Sequence, residues 1–272
     1  MTPKLNIAAL TRRTGVPPDT IRKWEQRYGV LQPERTSGGQ RRYTELDVAR
    51  VEWLKARLDE GFRIGEAAAL LGDTTLALGD AQGLPAAIVD AARRSDVAAL
   101  GTAVEQALFL PSLEKAFEEV FSPALVEIGE LWRAGELTVA QEHLASGTIR
   151  SALQRLLADH RGNVRGVAVL ACAPGELHEI GLLMVALQLR ADGWQVAYLG
   201  ADTPVTEALA LATQLGASAL LFSVTREEPG KTLAAQLSAA DVPARLTILV
   251  GGSCGGGGTP TDAVRSLRKA AA

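Results

Sequence analysis

The chain has 272 residues, 47% of them hydrophobic, and a formal net charge of −3, which suits two or three domains with substantial cores. No apolar stretch reaches the roughly 18 residues that span a bilayer, and the N-terminus lacks the apolar run of a signal peptide, so we expect a cytoplasmic protein without a membrane partner. Two cysteines, Cys172 and Cys254, are too few for a disulfide framework or a cysteine zinc site.

Charge is unevenly distributed along the chain. Residues 1–60 contain 12 lysines and arginines against 8 acidic residues, whereas residues 61–272 contain 16 against 23. A basic N-terminal segment on an acidic body indicates an anionic partner for that segment. A solvated charged surface would give the same balance of charges. The sequence pattern of this segment therefore has to distinguish a surface that binds an anionic partner from one that is merely solvated.

Residues 6–28 predict two short helices around a tight turn. Ile7 and Leu10 supply an apolar stripe, Gly15 can adopt the turn conformation, and the cluster Pro17-Pro18-Asp19 starts the second helix, where the missing N–H of proline costs nothing. This pattern is a helix-turn-helix, whose second helix packs on one face and meets DNA on the other. The glycine-centred turn at 34–43 suits a small wing whose arginines reach phosphates.

The run WEQRYGVLQPERTSGGQRRYT, followed by ELDVARVEWLKARLDEGF, closely resembles the MerR family of winged-helix transcriptional regulators. The resemblance covers residues 5–72 and predicts helices at 45–60 and 64–71, with Thr44 and Asp47 capping the first. It implies a dimer that reads a two-fold operator in double-stranded DNA. It also implies DNA contacts from the second helix and the wing, namely Thr20, Arg22, Lys23, Tyr28, Arg35, Arg41, Arg42 and Tyr43.

The middle of the chain has helical periodicity and almost no strand-forming residues. After a linker at 73–82, each of four segments has a length that suits one helix of a four-helix bundle. The segments are 84–94, 96–109, 112–133 and 138–159. We expect this bundle to occupy residues 83–161, after a DNA-binding domain at 1–72.

From residue 166 the spacing of apolar residues along the chain changes. Continuous apolar runs now alternate with helical stretches that begin near residues 178, 204, 230 and 260. The apolar runs are 167–173, 196–200, 219–224 and 246–252. This alternation predicts an α/β domain at 162–272 with a doubly wound, mostly parallel, Rossmann-like sheet. Ligands of such sheets bind at the carboxyl ends of the strands.

His178 follows the first of these strands in the sequence GELHEIG. A lone histidine in a loop is most often a solvated residue, but Glu176 can accept its second ring N–H and fix the tautomer, as around metal-bound histidines. Gly181 removes a side chain where a flat ligand would press. Ser223 and the pair Gly251–Gly252 end later strands, where they offer a hydroxyl and bare backbone.

The pattern E-x-H-x-x-G, S-x-T and G-G resembles the cobalamin-binding fold, whose usual signature is D-x-H-x-x-G, S-x-L and G-G. The resemblance implies that His178 is the lower axial ligand of cobalt. Glu for Asp and Thr for Leu are departures, although the carboxylate is kept. The cobalamin site implied by the resemblance comprises Glu176, His178, Gly181, Ser223, Thr225, Gly251 and Gly252.

Trp132, nine intervening residues and then Glu142–His143 form a second pattern, within the helical middle. Together with the MerR-like N-terminal segment, this pattern closely resembles the CarH type of MerR repressors, which sense light through 5′-deoxyadenosylcobalamin. The resemblance implies that the tryptophan covers the adenosyl group while Glu142 and His143 hold its ribose. The family commonly has histidine after the tryptophan, but Arg133 stands here, and a guanidinium cannot ligate cobalt.

The sequence therefore predicts a non-enzymatic, light-responsive repressor with adenosylcobalamin as chromophore. It would bind DNA as a homo-oligomer, dimer or tetramer, in the dark and be released on photolysis. A repressor of the same architecture without cofactor and a corrinoid carrier for methyl transfer remain alternatives, although a carrier needs no winged helix. An ordinary MerR sensor of metals or drugs is disfavoured, because no pair of cysteines lies near the helix through which such regulators dimerise.

Overall fold

The structure is a computed structural model that describes residues 5–36, 38–71, 81–110, 112–157, 165–256 and 260–270. The chain divides into two compact units, residues 1–142 and 143–272. Most of the linker predicted at 73–82 lies outside the described residues. Within the described ranges, no helix combines the length and the apolar character needed to cross a membrane.

The first unit begins with the predicted helix-turn-helix. Gly15 ends the first helix in the left-handed conformation, with φ of 72°, and Pro18 is the first residue of the second helix. A two-stranded antiparallel wing and two further helices follow, as predicted. The elements are α1 (Ile7–Thr14), α2 (Pro18–Tyr28), β1 (Glu34–Arg35), β2 (Arg41–Arg42), α3 (Glu45–Asp59) and α4 (Ile64–Leu71).

The predicted cap of α3 is present. The Asp47 N–H donates to the Thr44 hydroxyl at 3.2 Å, and the Thr44 N–H donates to the Asp47 carboxylate at 2.7 Å. Both N–H groups would otherwise lack partners at the helix start, so the pair fixes where α3 begins.

All four predicted helical segments are helical, but the third is not one continuous α-helix. A π-helical turn at Ala116–Phe121 interrupts it, and the Ser122 N–H donates to the Phe117 carbonyl five residues back. Pro123 explains the interruption, because proline has no N–H for the carbonyl four residues earlier. The elements are α5 (Leu84–Arg93), α6 (Val97–Leu108), α7 (Leu113–Lys115), α8 (Ser122–Arg133) and α9 (Val139–Leu157).

The second unit contains the predicted doubly wound sheet. In the described residues four parallel strands lie in the order β4-β3-β5-β6. Helices α10 and α13 pack against one face of the sheet, and α11 and α12 pack against the other. The elements are β3 (Gly166–Cys172), α10 (Ile180–Ala191), β4 (Trp194–Gly200), α11 (Val205–Gln214), β5 (Ala219–Ser223), α12 (Glu227–Ala239), β6 (Thr247–Gly251) and α13 (Pro260–Ala270).

The strand order places a topological switch point between β3 and β5. From β3 the chain runs outward to β4 on one side, then crosses back to β5 on the other side. The loops after β3 and β5 therefore diverge and leave a crevice at their carboxyl ends, where open α/β sheets bind ligands. His178 follows β3 and Thr225 follows β5, so both lie at this crevice.

Candidate functional site

The loop between β3 and α10 is fastened to the loop that follows β4. The Gly175 N–H donates to the Asp202 carboxylate at 2.6 Å, and the Asp202 N–H donates to the Glu176 carbonyl at 2.9 Å. Asp202 has φ of 48°, in the left-handed region that non-glycine residues seldom adopt. These reciprocal bonds stabilise that conformation and restrain the loop that carries His178.

The Glu176 carboxylate is the centre of the site. It is fully buried and accepts hydrogen bonds on both oxygens. Oε1 accepts from the His178 N–H at 3.0 Å, and Oε2 accepts from the N–H groups of Thr225 at 2.7 Å and Arg226 at 3.1 Å and from the Thr225 hydroxyl at 2.8 Å. Burial alone would raise the pKa of Glu176, but the hydrogen bonds from His178 and Thr225 outweigh it and lower the pKa to about 2. The group is therefore ionised at neutral pH.

His178 uses only one of its ring nitrogens in this network. Nδ1 lies 2.6 Å from Oε1 of Glu176, while 67% of the His178 side chain is exposed. An ionised carboxylate can only accept a hydrogen bond, so it selects the tautomer with hydrogen on Nδ1. Nε2 then carries the lone pair, which is the state of a histidine prepared to bind a metal.

The donor set fits a metal that arrives with most of its ligands. Among the residues that the structure describes, no group of three or more histidine, cysteine, aspartate or glutamate side chains could hold a metal ion. One imidazole would hold a bare cation weakly, whereas a corrin macrocycle already supplies four nitrogen ligands. His178 would therefore supply one further nitrogen ligand to the cobalt held by such a macrocycle.

Small residues border the crevice at the strand ends. A Cβ atom added to Gly181 or Gly251 would meet no atom within 4 Å, so both glycines adjoin open space. Gly252 is different, because its φ is +95° and an added Cβ would lie 2.3 Å from the Val224 carbonyl oxygen. Ser223 is buried at the end of β5. Open space beside Gly181 and Gly251 gives room for a bulky ligand and its tail.

Glu179 is a second carboxylate beside His178, and the sequence patterns did not single it out. The Tyr198 hydroxyl donates to Oε2 of Glu179 at 2.9 Å, and Arg150 of α9 pairs with Oε1 at 3.4 Å. Burial and the neighbouring Glu179 raise the pKa of Tyr198, so the phenol stays a donor. Tyr198 has no sequence signal beyond its place in a strand, and it ties the loop of His178 to β4.

The two cysteines lie in different environments. Cys172 ends β3 and is buried, and burial, together with Glu176 and Glu179, raises the pKa of its thiol to about 12. Cys254 is exposed in the loop after β6, with Sγ 3.2 Å from the Thr225 carbonyl oxygen.

Trp132, Glu142 and His143, which were predicted to hold an adenosyl group, lie at helix ends. Trp132 is in the last turn of α8 and is 47% exposed. Glu142 and His143 are in the first turns of α9, where Glu142 is half-buried and His143 exposed. Single exposed apolar side chains are normal on protein surfaces, so the exposure of Trp132 leaves its indole accessible without assigning it a role.

Most of the residues predicted to bind DNA are accessible on the winged helix. Arg22 and Lys23 are exposed on α2, and Thr20 and Tyr28 are half-buried on the same helix. Arg22 also pairs with Asp19 at 2.8 Å. On the wing, Arg35 is exposed and Arg42 half-buried.

Two wing residues have surroundings that the sequence did not indicate. Tyr43 is fully buried in the core of the winged helix, which does not favour its predicted contact with DNA. Arg41 is held by Glu25 of α2, because its Nε–H lies 2.8 and 3.0 Å from the two carboxylate oxygens. Arg41 therefore fastens the wing to α2, a role that the sequence spacing did not indicate.

The accessible arginines lead to a prediction for DNA binding. Arg42→Ala and Arg35→Ala should weaken binding to all sequences and reduce the salt slope by about one per lost phosphate contact, whereas Lys23→Ala should relax sequence preference. Fluorescence anisotropy with several duplexes at several salt concentrations measures both quantities. Arg94→Ala, an exposed arginine after α5, is the control. A change of sequence preference from Arg42→Ala would reverse the assignment.

Comparison with protein-family models covers nearly all of the described chain. Residues 5–73 match the MerR HTH family regulatory protein model. Residues 84–157 and residues 166–257 match two different models, each described as a B12 binding domain. The helical middle and the parallel sheet thus both match cobalamin-associated families.

Two relatives and one solved structure extend this result. The HTH-type transcriptional repressor CarH of Myxococcus xanthus is 39% identical over 92% of this chain and 88% of its own length. The HTH-type transcriptional repressor CarA of the same organism is 30% identical over 91% of this chain and 86% of its own. The monomethylamine corrinoid protein of Methanosarcina barkeri covers 70% of this chain and all of its own, with a TM-score of 0.58 and 19% identity, and supports the fold alone.

A MerR winged helix followed by B12-binding modules defines a class of transcription regulator rather than an enzyme. Within that class, the chain belongs to the CarH-type family of MerR repressors with cobalamin-binding domains. The fold class and the family resemblance predicted from the sequence are both confirmed.

Proposed function

We propose that the chain is a light-responsive repressor that uses 5′-deoxyadenosylcobalamin as its chromophore. The observation that carries the proposal is the pairing of exposed His178 with the buried, ionised Glu176, which prepares Nε2 for an axial position on cobalt. In this proposal residues 1–72 bind DNA, 83–161 cap the cofactor and 162–272 hold it.

Each part of the candidate site has a role in this proposal. His178 is the lower ligand, and Glu176 fixes its tautomer. The open space beside Gly181 and Gly251 accepts the corrin and its tail, with Ser223 and Gly252 at the strand ends. Thr225 acts indirectly, because its hydroxyl and N–H both serve Glu176.

The remaining residues respond to the upper ligand. The cofactor supplies a cobalt–carbon bond that visible light cleaves. Trp132 would offer an indole face to the adenine, while Glu142 and His143 would hold the ribose hydroxyls. Because the adenosyl group would be present only before photolysis, these three residues would supply the difference in affinity between the two states that a ligand-driven switch requires.

In the dark state the chain forms a homo-oligomer, a dimer or a tetramer, whose winged helices engage the operator together. One winged helix alone binds DNA weakly, because its contacts are mostly salt-sensitive phosphate contacts. Loss of the oligomer therefore releases the DNA. Arg133 is exposed at the end of α8, and a guanidinium offers no acceptor to a metal, so no replacement ligand for cobalt comes from that position.

The test is size-exclusion chromatography of the full chain with 5′-deoxyadenosylcobalamin, in the dark and after illumination, with DNA binding measured on the same samples. We expect a dimer or tetramer that binds DNA in the dark, and a smaller species with weaker binding after light. Cyanocobalamin is the control and should give no light response. Equal DNA binding with and without cobalamin would favour a cofactor-independent repressor of the same architecture.

A further inference from the structure

Three side chains at the C-terminal end of α3 face the turn between α6 and α7. Trp53, Arg57 and Glu60 are spaced by four and three residues, so they share one face of the helix. The α6–α7 turn means here residues 108–110 and 112–113. Trp53 packs against Phe109 of this turn, with ring centroids 5.1 Å apart.

Each of the three side chains bonds to the backbone of the turn. The Trp53 indole N–H donates to the Leu108 carbonyl at 3.0 Å, and the Arg57 guanidinium donates to the Leu110 carbonyl at 3.3 Å. In the opposite sense, the Leu113 N–H donates to the Glu60 carboxylate at 2.9 Å.

These bonds serve backbone groups that helices leave without partners. The carbonyls at the end of α6 and the N–H groups at the start of α7 have no partner within their own helices. Such groups are usually capped by nearby residues of the same segment, as Thr44 and Asp47 cap α3. Here much of that capping comes from α3 of the DNA-binding domain, more than 50 residues earlier.

Arg57 and Glu60 are an ion pair in the interior of the first unit. Arg57 is 1% exposed, its Nη1 lies 3.0 Å from Oε2 of Glu60, and its guanidinium carbon lies 5.3 Å from the centroid of the Trp53 ring. A buried charge loses favourable hydration and is held only with good partners. Separating α3 from the turn would expose the pair and break three hydrogen bonds to the turn backbone together, so these contacts are made or lost as a unit.

We infer that Trp53, Arg57 and Glu60 are positioning residues that join the DNA-binding domain to the cofactor-binding helices as one mechanical unit. A displacement of α6 or α7 moves α3, and α3 packs in the same core as α1 and α2. By linkage, DNA bound at α2 stabilises the α6–α7 turn in return. The inference rests on the proposed function only in assuming that cobalamin is the ligand that displaces α6 or α7. The contact between α3 and the α6–α7 turn does not depend on cobalamin.

The first test is amide hydrogen exchange on the full, ligand-free chain. Trp53→Phe keeps the ring but removes the indole donor, and Arg57→Met combined with Glu60→Gln removes both charges at similar volume. Each should accelerate exchange in the turn, by about tenfold for the double variant, because local opening becomes easier. Glu52→Gln, an exposed position on α3, is the matched control. Unchanged exchange in the turn for both variants would overturn the inference.

The second test adds a mixed-sequence DNA duplex at low ionic strength. In the unmodified chain, bound DNA should slow exchange in the turn by about fivefold. Trp53→Phe should bind the duplex equally well, since Trp53 is not among the DNA-facing residues, but should lose most of that protection. A merely structural role for Trp53 would leave the DNA-induced protection intact, and that result would overturn the positioning role.

A third measurement separates this inference from the proposed function. DNA affinity is measured with and without 5′-deoxyadenosylcobalamin in the dark, for the unmodified chain and for Trp53→Phe. If the DNA affinity of the unmodified chain does not depend on cobalamin, the proposed function fails. The exchange data then still show whether Trp53, Arg57 and Glu60 couple α3 to the α6–α7 turn. If the unmodified chain does respond, Trp53→Phe should respond less, and an equal response would overturn the role of this contact in transmission.

Discussion

His178→Ala should weaken binding of 5′-deoxyadenosylcobalamin by about 100-fold or more, or about 3 kcal/mol, because the axial ligand is lost. The expected absorption spectrum is that of cobalamin without a histidine ligand. Titration of the cobalamin-free protein in the dark, followed by absorbance, measures both affinity and spectrum. This change should leave the ligand-free fold intact to within about 0.5 kcal/mol, since the side chain is largely exposed.

Glu176→Gln provides a graded control for the same experiment. The amide keeps one acceptor but cannot stabilise the Nδ1–H tautomer as a carboxylate does, so a loss of about 10-fold to 100-fold is expected. A ranking in which Glu176→Gln is harmless and His178→Ala severe would limit Glu176 to a structural role. Tight binding with an unchanged spectrum in His178→Ala would remove His178 from cobalt altogether.

Gly252→Ala should lower the free energy of unfolding of the ligand-free protein by about 3 kcal/mol or more. The substitution combines a left-handed backbone, at φ +95°, with a Cβ 2.3 Å from the Val224 carbonyl oxygen. Cys254 donates its N–H to that same carbonyl, so the strain extends to the loop after β6. Urea denaturation, followed by circular dichroism, measures the effect.

Gly251→Ala is the matched control one residue earlier. Its Cβ would meet no protein atom, so the ligand-free protein should keep its stability. Cobalamin affinity should nevertheless fall, because the methyl group enters the space assigned to the ligand. Equal cobalamin affinity in Gly251→Ala and the unmodified chain would place the cofactor tail elsewhere.

Local sequence signals predicted the elements of this fold well. The capping pair Thr44–Asp47 is predictable because its two residues lie only three positions apart. The end of α1 is predictable because Gly15 can adopt the left-handed conformation without help from other residues. A strand buried on both faces is recognised by its continuous apolar run. The interruption before Pro123 was missed even though its cause is local. The prediction for 112–133 rested on periodicity, which a π-helical turn hardly changes over so short a stretch.

Contacts between distant residues were less predictable. Glu25 and Arg41 are 16 residues apart, and Glu176 and Thr225 are 49 apart. Helix and strand periodicity relates only residues a few positions apart, so it could not predict either contact. Tyr43 adjoins basic wing residues in the sequence, whereas its burial depends on a core built from several helices of the winged helix, which no local pattern reveals. The binding roles of the candidate site residues stay predictions, because hydrogen-bond geometry shows which groups are prepared to bind but not what they bind.

The contrast between the two thiols gives the protein a natural attachment point for a spectroscopic probe. A maleimide fluorophore reacts with thiolates, so it should label exposed Cys254 and spare Cys172, whose pKa of about 12 and burial keep it unreactive. The dye would then sit beside the Thr225 carbonyl, one hydrogen-bonded residue away from Glu176. Its emission could follow occupancy of the crevice in real time without the introduction of any foreign cysteine.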